Sequence, residues 1–348
     1  LGLTNVAAVT AELQHRQESG EFKPINRPKH QPATTTDRMV TMEKENIQTM
    51  LNGKENRPPM VEAERVNEVV SAIAKSQRRS LNTKQKSAIE QILCSRDRII
   101  GLQGGAGTGK TTALSVLREA AEKEGYQVRG FAPSARAAQQ LGESGIESET
   151  IQLFLRRRNP RATTSRLFVL DESSLASTKH IYKLFARLEP EDKVLLVGDV
   201  RQHQAVDAGS PFEQLQKHGM TTAKLSAIVR QRNKELKETV TDLSFRRIKE
   251  AVTALESRGK VIEVADEGER LQAMAQDYAK NPSSTLVISP ANRERAQLNS
   301  LIHRELQRDG NVSRDDHQTK IYVARNDMTG AERGFATAYR PDDLIRYN

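Results

Sequence analysis

The run Gly104-Gly105-Ala106-Gly107-Thr108-Gly109-Lys110-Thr111 is the most informative part of the sequence. It matches the pattern G-x-x-x-x-G-K-[ST], in which glycines permit a tight turn and successive backbone N–H groups can point at phosphate oxygens. An apolar run at 98–102 precedes it, and a stretch with helical spacing at 111–124 follows it. The run therefore stands between a predicted strand and a predicted helix, as a phosphate-binding loop requires. The alternative is a glycine-rich turn that has an incidental lysine and binds no phosphate.

The loop predicts a site for ATP and Mg²⁺. Lys110 would reach the β- and γ-phosphates, the Thr111 hydroxyl would ligate Mg²⁺, and the positive end of the following helix would favour the phosphates. The candidate nucleotide contacts in this segment are Gly104, Gly105, Ala106, Gly107, Thr108, Gly109, Lys110, Thr111 and Thr112.

Further short apolar runs predict buried strands. They are Val128 to Ala132, Leu167 to Leu170, Val194 to Val197 and Thr285 to Ser289. Helix-like stretches separate them, and short apolar strands that alternate with helices are typical of a parallel sheet with both faces covered. The sequence therefore predicts the α/β class.

Two carboxylates, Asp171 and Glu172, end the strand at 167–170. In a parallel sheet that end faces the ligand crevice, beside the phosphate-binding loop. Asp171 would hold the Mg²⁺ hydration shell, and Glu172 would orient and deprotonate an attacking water. Taken alone, such a pair of carboxylates more often marks the end of a strand, where the chain enters a solvated turn, than a catalytic site. Its place about sixty residues after the loop favours a hydrolase.

Two later residues are weaker candidates for the same chemistry. Gln202 follows the strand at 194–197 and could sense the γ-phosphate or the attacking water. Arg230 ends an apolar stretch and is either a surface charge or an arginine finger that reaches the transferring phosphoryl group. Spacing alone leaves both interpretations of Arg230 open.

Composition bounds the class of protein. The 348 residues carry a net charge of +9, which makes a polyanion the natural partner. Uninterrupted apolar runs do not exceed four residues, far short of the roughly 20 that a membrane span needs. A single cysteine excludes an internal disulfide and suits a reducing cytosol. The seven histidines form no HxH or HExxH cluster, so no transition-metal site is expected.

In order along the chain, the motifs resemble the motor core of superfamily 1 helicases, in particular the RecD-like branch. Residues 81–88 are similar to the adenine-recognising Q motif of that family, 104–111 to motif I, 132–138 to motif Ia and 150–154 to the next DNA-contacting motif. Asp171-Glu172 falls in motif II, 198–202 in motif III and Arg230 in motif IV. Segments 201–206, 208–212, 285–301 and 328–333 narrow the resemblance to the helicase half of conjugative relaxases of the TraI/TrwC (MobF) type.

This resemblance implies a DNA-stimulated ATPase of the bacterial cytoplasm that moves 5′ to 3′ along single-stranded DNA during conjugation, with other conjugation proteins as further partners. It implies that the nucleotide lies between two RecA-like lobes and that Gln85 reads adenine. It also assigns DNA contacts to Pro133, Ser134, Arg136, Thr150 and Gln152. Arg156 and Arg157 open the densest basic run, at 156–161, and Arg166 lies close behind it. For these arginines a solvated loop is at least as good an explanation as phosphate contact.

The resemblance also sets the expected domains. We expect a helical and linker region at 1–78, a complete RecA-like lobe at 79–225, and part of a second lobe with the start of an inserted domain at 226–348. Motifs V and VI of the family are not found in the sequence, so we expect a fragment of a longer motor. A non-enzymatic single-stranded DNA anchoring module with a retained nucleotide site is the alternative. Another P-loop enzyme, such as a small-molecule kinase, is disfavoured by the order of Gln85, Gln202 and Arg230.

Overall fold

The computed structural model describes residues 6–25, 33–105, 107–157, 164–201, 209–226 and 233–315. These residues divide into two compact units. The larger comprises the described part of 10–251, and the smaller comprises 6–9 and 252–315. The predicted domain boundaries after residues 78 and 225 stay predictions. None of the helices in the described ranges is long and apolar enough to cross a membrane.

The first part of the chain is mainly helical, as predicted. Its elements are α1 (Val6–Glu18), β1 (Lys23–Ile25), β2 (Ala33–Thr35), α2 (Asp37–Asn52), α3 (Ala63–Ser76) and α4 (Thr83–Leu93). The short strands β1 and β2 pair antiparallel. The Thr36 hydroxyl caps α2 by accepting the Met39 N–H at 3.2 Å, which satisfies a donor that the first helical turn leaves unpaired.

A six-stranded parallel sheet forms the centre of the larger unit. Its strands are β3 (Ile99–Gly104), β4 (Gln127–Ala132), β5 (Glu147–Thr150), β6 (Arg166–Leu170), β7 (Lys193–Gly198) and β8 (Thr222–Leu225). The spatial order is β5-β4-β6-β7-β3-β8, and all five neighbouring pairs are parallel. The predicted α/β class and the predicted strands at 98–102, 128–132, 167–170 and 194–197 are confirmed.

Helices cover both faces of this sheet. They include α5 (Lys110–Lys123), α6 (Ala135–Gly142), α7 (Ile151–Arg156), α8 (Thr178–Phe185) and α9 (Pro211–Lys217). Two further helices, α10 (Lys234–Ser244) and α11 (Ile248–Ser257), follow β8 along the chain. Because successive strand residues point to opposite faces, Ile99 and Ile100 belong to different cores. The Ile100 core contains residues of α3, α4 and α5, and the Ile99 core contains residues of α2, α7, α8 and α9.

Three phenylalanines occupy the second of these cores. The rings of Phe131, Phe154 and Phe168 lie with centroids 4.4 to 5.7 Å apart in tilted arrangements. Aromatic pairs at such distances stabilise a core beyond the area that they bury. Phe154 is therefore a core residue.

Arg166 corrects an expectation. It lies close behind the basic run at 156–161, where phosphate contact is one of the two interpretations. In the structure it begins β6 and is buried, with Nε and one terminal nitrogen donating to the two carboxylate oxygens of Asp192 at 2.8 and 2.6 Å. This bidentate ion pair takes Arg166 away from any DNA surface.

The smaller unit is helical in its described part. Its main elements are α12 (Glu267–Lys280) and α13 (Asn292–Arg308), which pack on each other through buried Leu271, Ala275 and Leu298. The predicted strand at 285–289 is wrong. The segment has no regular structure, and Leu286 and Ile288 are 81% and 77% exposed, because residues 233–315 contain no strand with which it could pair.

Candidate functional site

The phosphate-binding loop leaves the sheet at the carboxyl end of β3 and enters α5 at Lys110. Gly107 and Gly109 have φ values of +74° and +79°, in the left-handed region that only glycine enters at little cost. Backbone that alternates into this region makes a concave row of N–H groups that binds anions. α5 begins directly after Gly109, so its N-terminal dipole faces the same place.

Lys110 folds back over the loop. Its ammonium group donates to the carbonyl oxygen of Gly104 at 2.8 Å and lies 3.5 Å from that of Gly105. The Thr108 hydroxyl donates to the same Gly105 oxygen at 2.9 Å. These bonds hold the loop in its turn, with the one charged side chain of the loop over it.

A cavity of about 460 Å³ lies above this loop. Its lining combines loop glycines, the start of α5, both carboxylates of the acidic pair and the end of β7. The lining residues are Gly105, Gly107, Gly109, Lys110, Thr111, Thr112, Leu114, Gln140, Leu141, Ser144, Asp171, Glu172, Ser174, Gly198 and Asp199. Residues from three strand ends therefore meet around one space, as expected of the carboxyl edge of a parallel sheet.

Asp171 and Glu172 follow β6 at this edge. The Asp171 N–H donates to the carbonyl oxygen of Phe131 at 2.9 Å, and an Asp171 carboxylate oxygen accepts the Glu172 N–H at 2.8 Å. Glu172 has a φ of +48°, a left-handed conformation that is uncommon for a residue with a side chain. Such conformations cluster at functional sites, where the surrounding structure holds them.

Burial sets the electrostatics of this pair. It raises the pKa of Asp171 above its ordinary value, against smaller lowering effects of the Glu172 N–H and of the Lys110 charge. It also raises the pKa of Glu172, and the neighbouring Asp171 charge adds to that rise. Among the described residues, Lys110 is the cation whose charge lowers the pKa of both carboxylates, and burial outweighs that effect.

Asp199 is a cavity residue that is absent from the candidates predicted from the sequence. It follows β7, is 7% exposed and lines the cavity. An atom added in the Cβ position of Gly105 would lie 3.2 Å from its Oδ2, so the carboxylate lies directly against the loop. The available signal was its place after an apolar strand, the same signal that selected Asp171. Gln140 and Ser144, of α6 and the turn after it, carried no such signal.

Gln85 lies beneath the loop rather than in the cavity. It is 4% exposed, and its Nε2 donates to the carbonyl oxygen of Gly109 at 3.2 Å, with that of Thr108 at 3.5 Å. Its Oε1 accepts the Asn82 N–H at 3.0 Å, one half of a capping box at the start of α4. Both ends of the amide thus have partners within the protein, and the adenine contact stays a prediction.

Comparison with known proteins agrees with this geometry. A family model described as an AAA domain matches residues 80–266, more than half of the chain. The chain belongs to this AAA domain family. The match includes the loop, the acidic pair and Asp199.

The individual relatives of this chain are conjugation proteins and helicases. A probable conjugal transfer protein TraA of Sinorhizobium fredii is 31% identical over 248 residues, 69% of this chain and 22% of the relative. The multifunctional conjugation protein TraI of Escherichia coli K12 is 26% identical over 350 residues, 85% and 19% of the two chains. The ATP-dependent RecD2 DNA helicase of Deinococcus radiodurans is 33% identical over 168 residues, 46% and 23%.

These relatives confirm the resemblance to the RecD-like helicase region of conjugative relaxases. The AAA chain spans about a fifth of the length of each.

The predicted DNA contacts of the AAA chain lie at two adjacent strand ends. β4 and β5 are neighbours in register, with Ala132 opposite Thr150. Pro133 and Ser134 follow β4, and Arg136 is exposed on α6. The Ser134 hydroxyl accepts the Ala137 N–H at 3.1 Å and caps α6, and the Thr150 hydroxyl likewise caps α7.

Beyond Thr150, exposed polar side chains continue along α7. Gln152, Arg156 and Arg157 are all exposed, and Arg157 lies 3.3 Å from Glu149. Arg187 donates to the carbonyl oxygens of Leu155 and Phe154 at 2.5 Å and to that of Arg157 at 3.0 Å, and so fixes the end of α7. Arg187 therefore holds the backbone at the end of α7, and Glu149 pairs with the Arg157 side chain. Ala106, Gln202 and Arg230 lie outside the described residues.

Proposed function

We propose that this chain is the ATP-hydrolysing motor of a DNA helicase that acts in conjugation. The observation that carries the proposal is the single cavity that brings Lys110, Thr111, Asp171 and Glu172 together at the carboxyl edge of the sheet. Loop amides and a lysine recognise a polyphosphate, and paired carboxylates beside them suit hydrolysis. The names of the conjugation and helicase relatives support the DNA-directed part.

In the proposed reaction, the phosphates of ATP bind the backbone amides of residues 105–111 and the Lys110 ammonium group. Glu172 accepts a proton from the water whose oxygen attacks the γ-phosphorus. The bond between that phosphorus and the β–γ bridging oxygen breaks, which releases ADP and inorganic phosphate. Lys110 offsets the negative charge on the phosphate oxygens as that bond breaks.

The donor set at this place fits Mg²⁺. The ion prefers oxygen ligands, and the cavity offers the Thr111 hydroxyl and the Asp171 carboxylate. Bound there, Mg²⁺ would supply charge neutralisation at the phosphates. We propose that the Thr111 hydroxyl would bind Mg²⁺ directly and that Asp171 would hold the ion through its hydration shell.

Two further assignments rest on the motif order alone. We propose that Gln202 senses the γ-phosphate or the attacking water, and that Arg230 contributes a positive charge to the transferring phosphoryl group. We also propose 5′-to-3′ movement and a need for the later helicase motifs, V and VI, for unwinding. Both follow from the family resemblance.

Single-stranded DNA is the proposed track. Its phosphates would contact the edge formed by residues 133–136 and 150–157, where Arg136, Arg156 and Arg157 are exposed. Sequence-independent binding is expected, because backbone contacts carry no base information. The net charge of +9 supports such binding.

ATP hydrolysis with and without single-stranded DNA tests the proposal. We expect hydrolysis that rises when DNA is added, and its loss in Glu172→Gln, which removes the proton acceptor but keeps the side-chain size. Exposed Glu64 on α3 gives the matched control, Glu64→Gln. ATP binding with DNA binding but no hydrolysis in any condition would instead favour the anchoring module.

A further inference from the structure

Gln103 lies at the end of β3, one residue before the strand gives way to the phosphate-binding loop. It is half-buried and outside the cavity lining. Its Nε2 donates to the Asp199 Oδ1 at 2.6 Å. Its Oε1 accepts the Val200 N–H at 3.3 Å and an amide hydrogen of Gln216 at 3.2 Å.

One side chain therefore joins three elements. Gln103 belongs to β3, Asp199 and Val200 to the segment that follows β7, and Gln216 to α9. The donor end of the Gln103 amide faces a carboxylate, and the acceptor end faces two donors. No other residue type of this size satisfies the arrangement, because leucine lacks both ends and glutamate would place two carboxylates together.

Asp199 is the residue that this amide holds. The same Oδ1 that accepts from Gln103 also accepts the Arg201 N–H at 3.1 Å, so the carboxylate shapes the chain after β7 as well. Its Oδ2 lies against Gly105. The position of Asp199 in the cavity, relative to the loop, is thus fixed from outside the cavity by Gln103.

We propose that Gln103 is a positioning residue for ATP hydrolysis, which holds Asp199 and the segment 199–201 against the phosphate-binding loop. The proposal rests on the function proposed above. Loop amides and Lys110 bind the phosphates without help from Gln103, so its loss should affect turnover more than ATP binding. The pair exchanges no proton in this role; it sets distance and direction.

The test is an ATPase double-mutant cycle between Gln103 and Asp199. We expect Gln103→Leu and Gln103→Glu each to lower kcat at least tenfold with KM within about threefold. Gln103→Glu, Asp199→Asn exchanges amide and carboxylate and restores the donor–acceptor match between these two side chains, although the Arg201 N–H then loses its acceptor at this atom. We therefore expect the double variant to exceed Gln103→Glu in kcat at least fivefold. Gln91→Leu, at an exposed glutamine on α4, is the control and should leave kcat and KM unchanged.

The outcomes separate the two claims. Hydrolysis that survives Gln103→Leu, a KM that rises in proportion to any loss, or a Gln103→Glu effect that is equal in both backgrounds contradicts the positioning role alone. Wild-type hydrolysis no greater than that of Lys110→Ala contradicts the proposed function, and the positioning role with it. The urea midpoint of unfolding is measured for every variant. A loss of kcat that is due to unfolding disappears when the variant is assayed at conditions well below its midpoint.

Discussion

The side-chain amide of Gln85 donates to the carbonyl oxygen of Gly109 at 3.2 Å, which ties the start of α4 to the last glycine of the phosphate-binding loop. With its Oε1 engaged by the Asn82 N–H, the buried amide supports the loop from behind. This geometry makes a different prediction from adenine recognition.

We expect Gln85→Ala to weaken ATP and GTP binding by the same factor, about tenfold. The reason is that a buried carbonyl oxygen loses its donor and the loop loses a fixed position, at a cost of roughly 1–3 kcal/mol. Titration of both nucleotides, with Gln91→Ala as the control, checks this. Selective loss of ATP binding with unchanged GTP binding would instead assign adenine recognition to Gln85.

Arg156 and Arg157 should contribute to DNA binding through phosphates. Replacing both by alanine should reduce the slope of log affinity against log salt concentration, by about 0.7 per lost contact on single strands. Binding to oligonucleotides of several sequences at a series of salt concentrations measures this. Exposed Lys75 and Arg79, at the end of α3 and just after it, provide a matched double-alanine control. An unchanged salt slope in the variant with alanine at both positions would show that Arg156 and Arg157 are solvated and do not contact DNA phosphates.

Arg166 should matter for stability and not for DNA. Arg166→Met leaves Asp192 buried without its cation, which costs about 3–5 kcal/mol. Arg166→Met, Asp192→Leu removes both charges and should recover most of that loss. Urea unfolding of the two variants measures the free energies, and the salt slope of DNA binding should equal that of the wild type. Wild-type stability together with a reduced slope in the single variant Arg166→Met would return Arg166 to the DNA surface.

Lys193 makes stability depend on pH. The side chain is buried, with Nζ donating to the carbonyl oxygen of Ser95 at 2.6 Å, and burial lowers its pKa to about 8. In the unfolded chain a lysine keeps its proton up to a pKa of about 10.4. Between these values the unfolded state binds a proton that the folded state does not, so stability rises with pH.

The measurement compares unfolding of the wild type and Lys193→Met between about pH 7 and 10.5, the window that the two pKa values set. The wild type should gain roughly 1–3 kcal/mol relative to the variant as pH rises through this window, since the variant has no amine to titrate. The other charges that act on the Lys193 pKa are present in both proteins: the carboxylates of Asp97 and Glu55 raise it, and the cations Arg57 and Arg96 lower it. Parallel pH profiles would show that Lys193 is charged at no cost in the fold.

Most of the sheet and the centre of the site could be predicted from the sequence. The strands at 99–104, 166–170 and 193–198 contain short apolar runs, and such runs favour strands of a parallel sheet that is covered on both faces. Asp171 and Glu172 follow β6 directly, Lys110 follows β3 after the phosphate-binding loop, and the carboxyl ends of parallel strands share an edge. Local pattern and sheet geometry together were therefore enough to place them.

The sequence was insufficient to predict the features that depend on contacts between residues far apart in the chain. The run at 285–289 has the composition of a strand, but a strand also needs a neighbour, and none lies in 233–315. Arg166 looks like the last member of a basic run, and only Asp192, 26 residues later, makes it a core residue. The Gln103–Asp199 bond joins residues 96 apart, and no local pattern marks either as a pair.

Titration of Mg²⁺–ATP against the wild-type chain and Lys110→Ala is the most direct test of the central claim, that the cavity above residues 104–111 is a nucleotide site. We expect saturable binding by the wild type, at least tenfold weaker binding by Lys110→Ala, and binding within threefold of the wild type by Glu172→Gln, which alters hydrolysis only. Equal affinity of the wild type and Lys110→Ala, or no binding by either folded protein, would contradict the account.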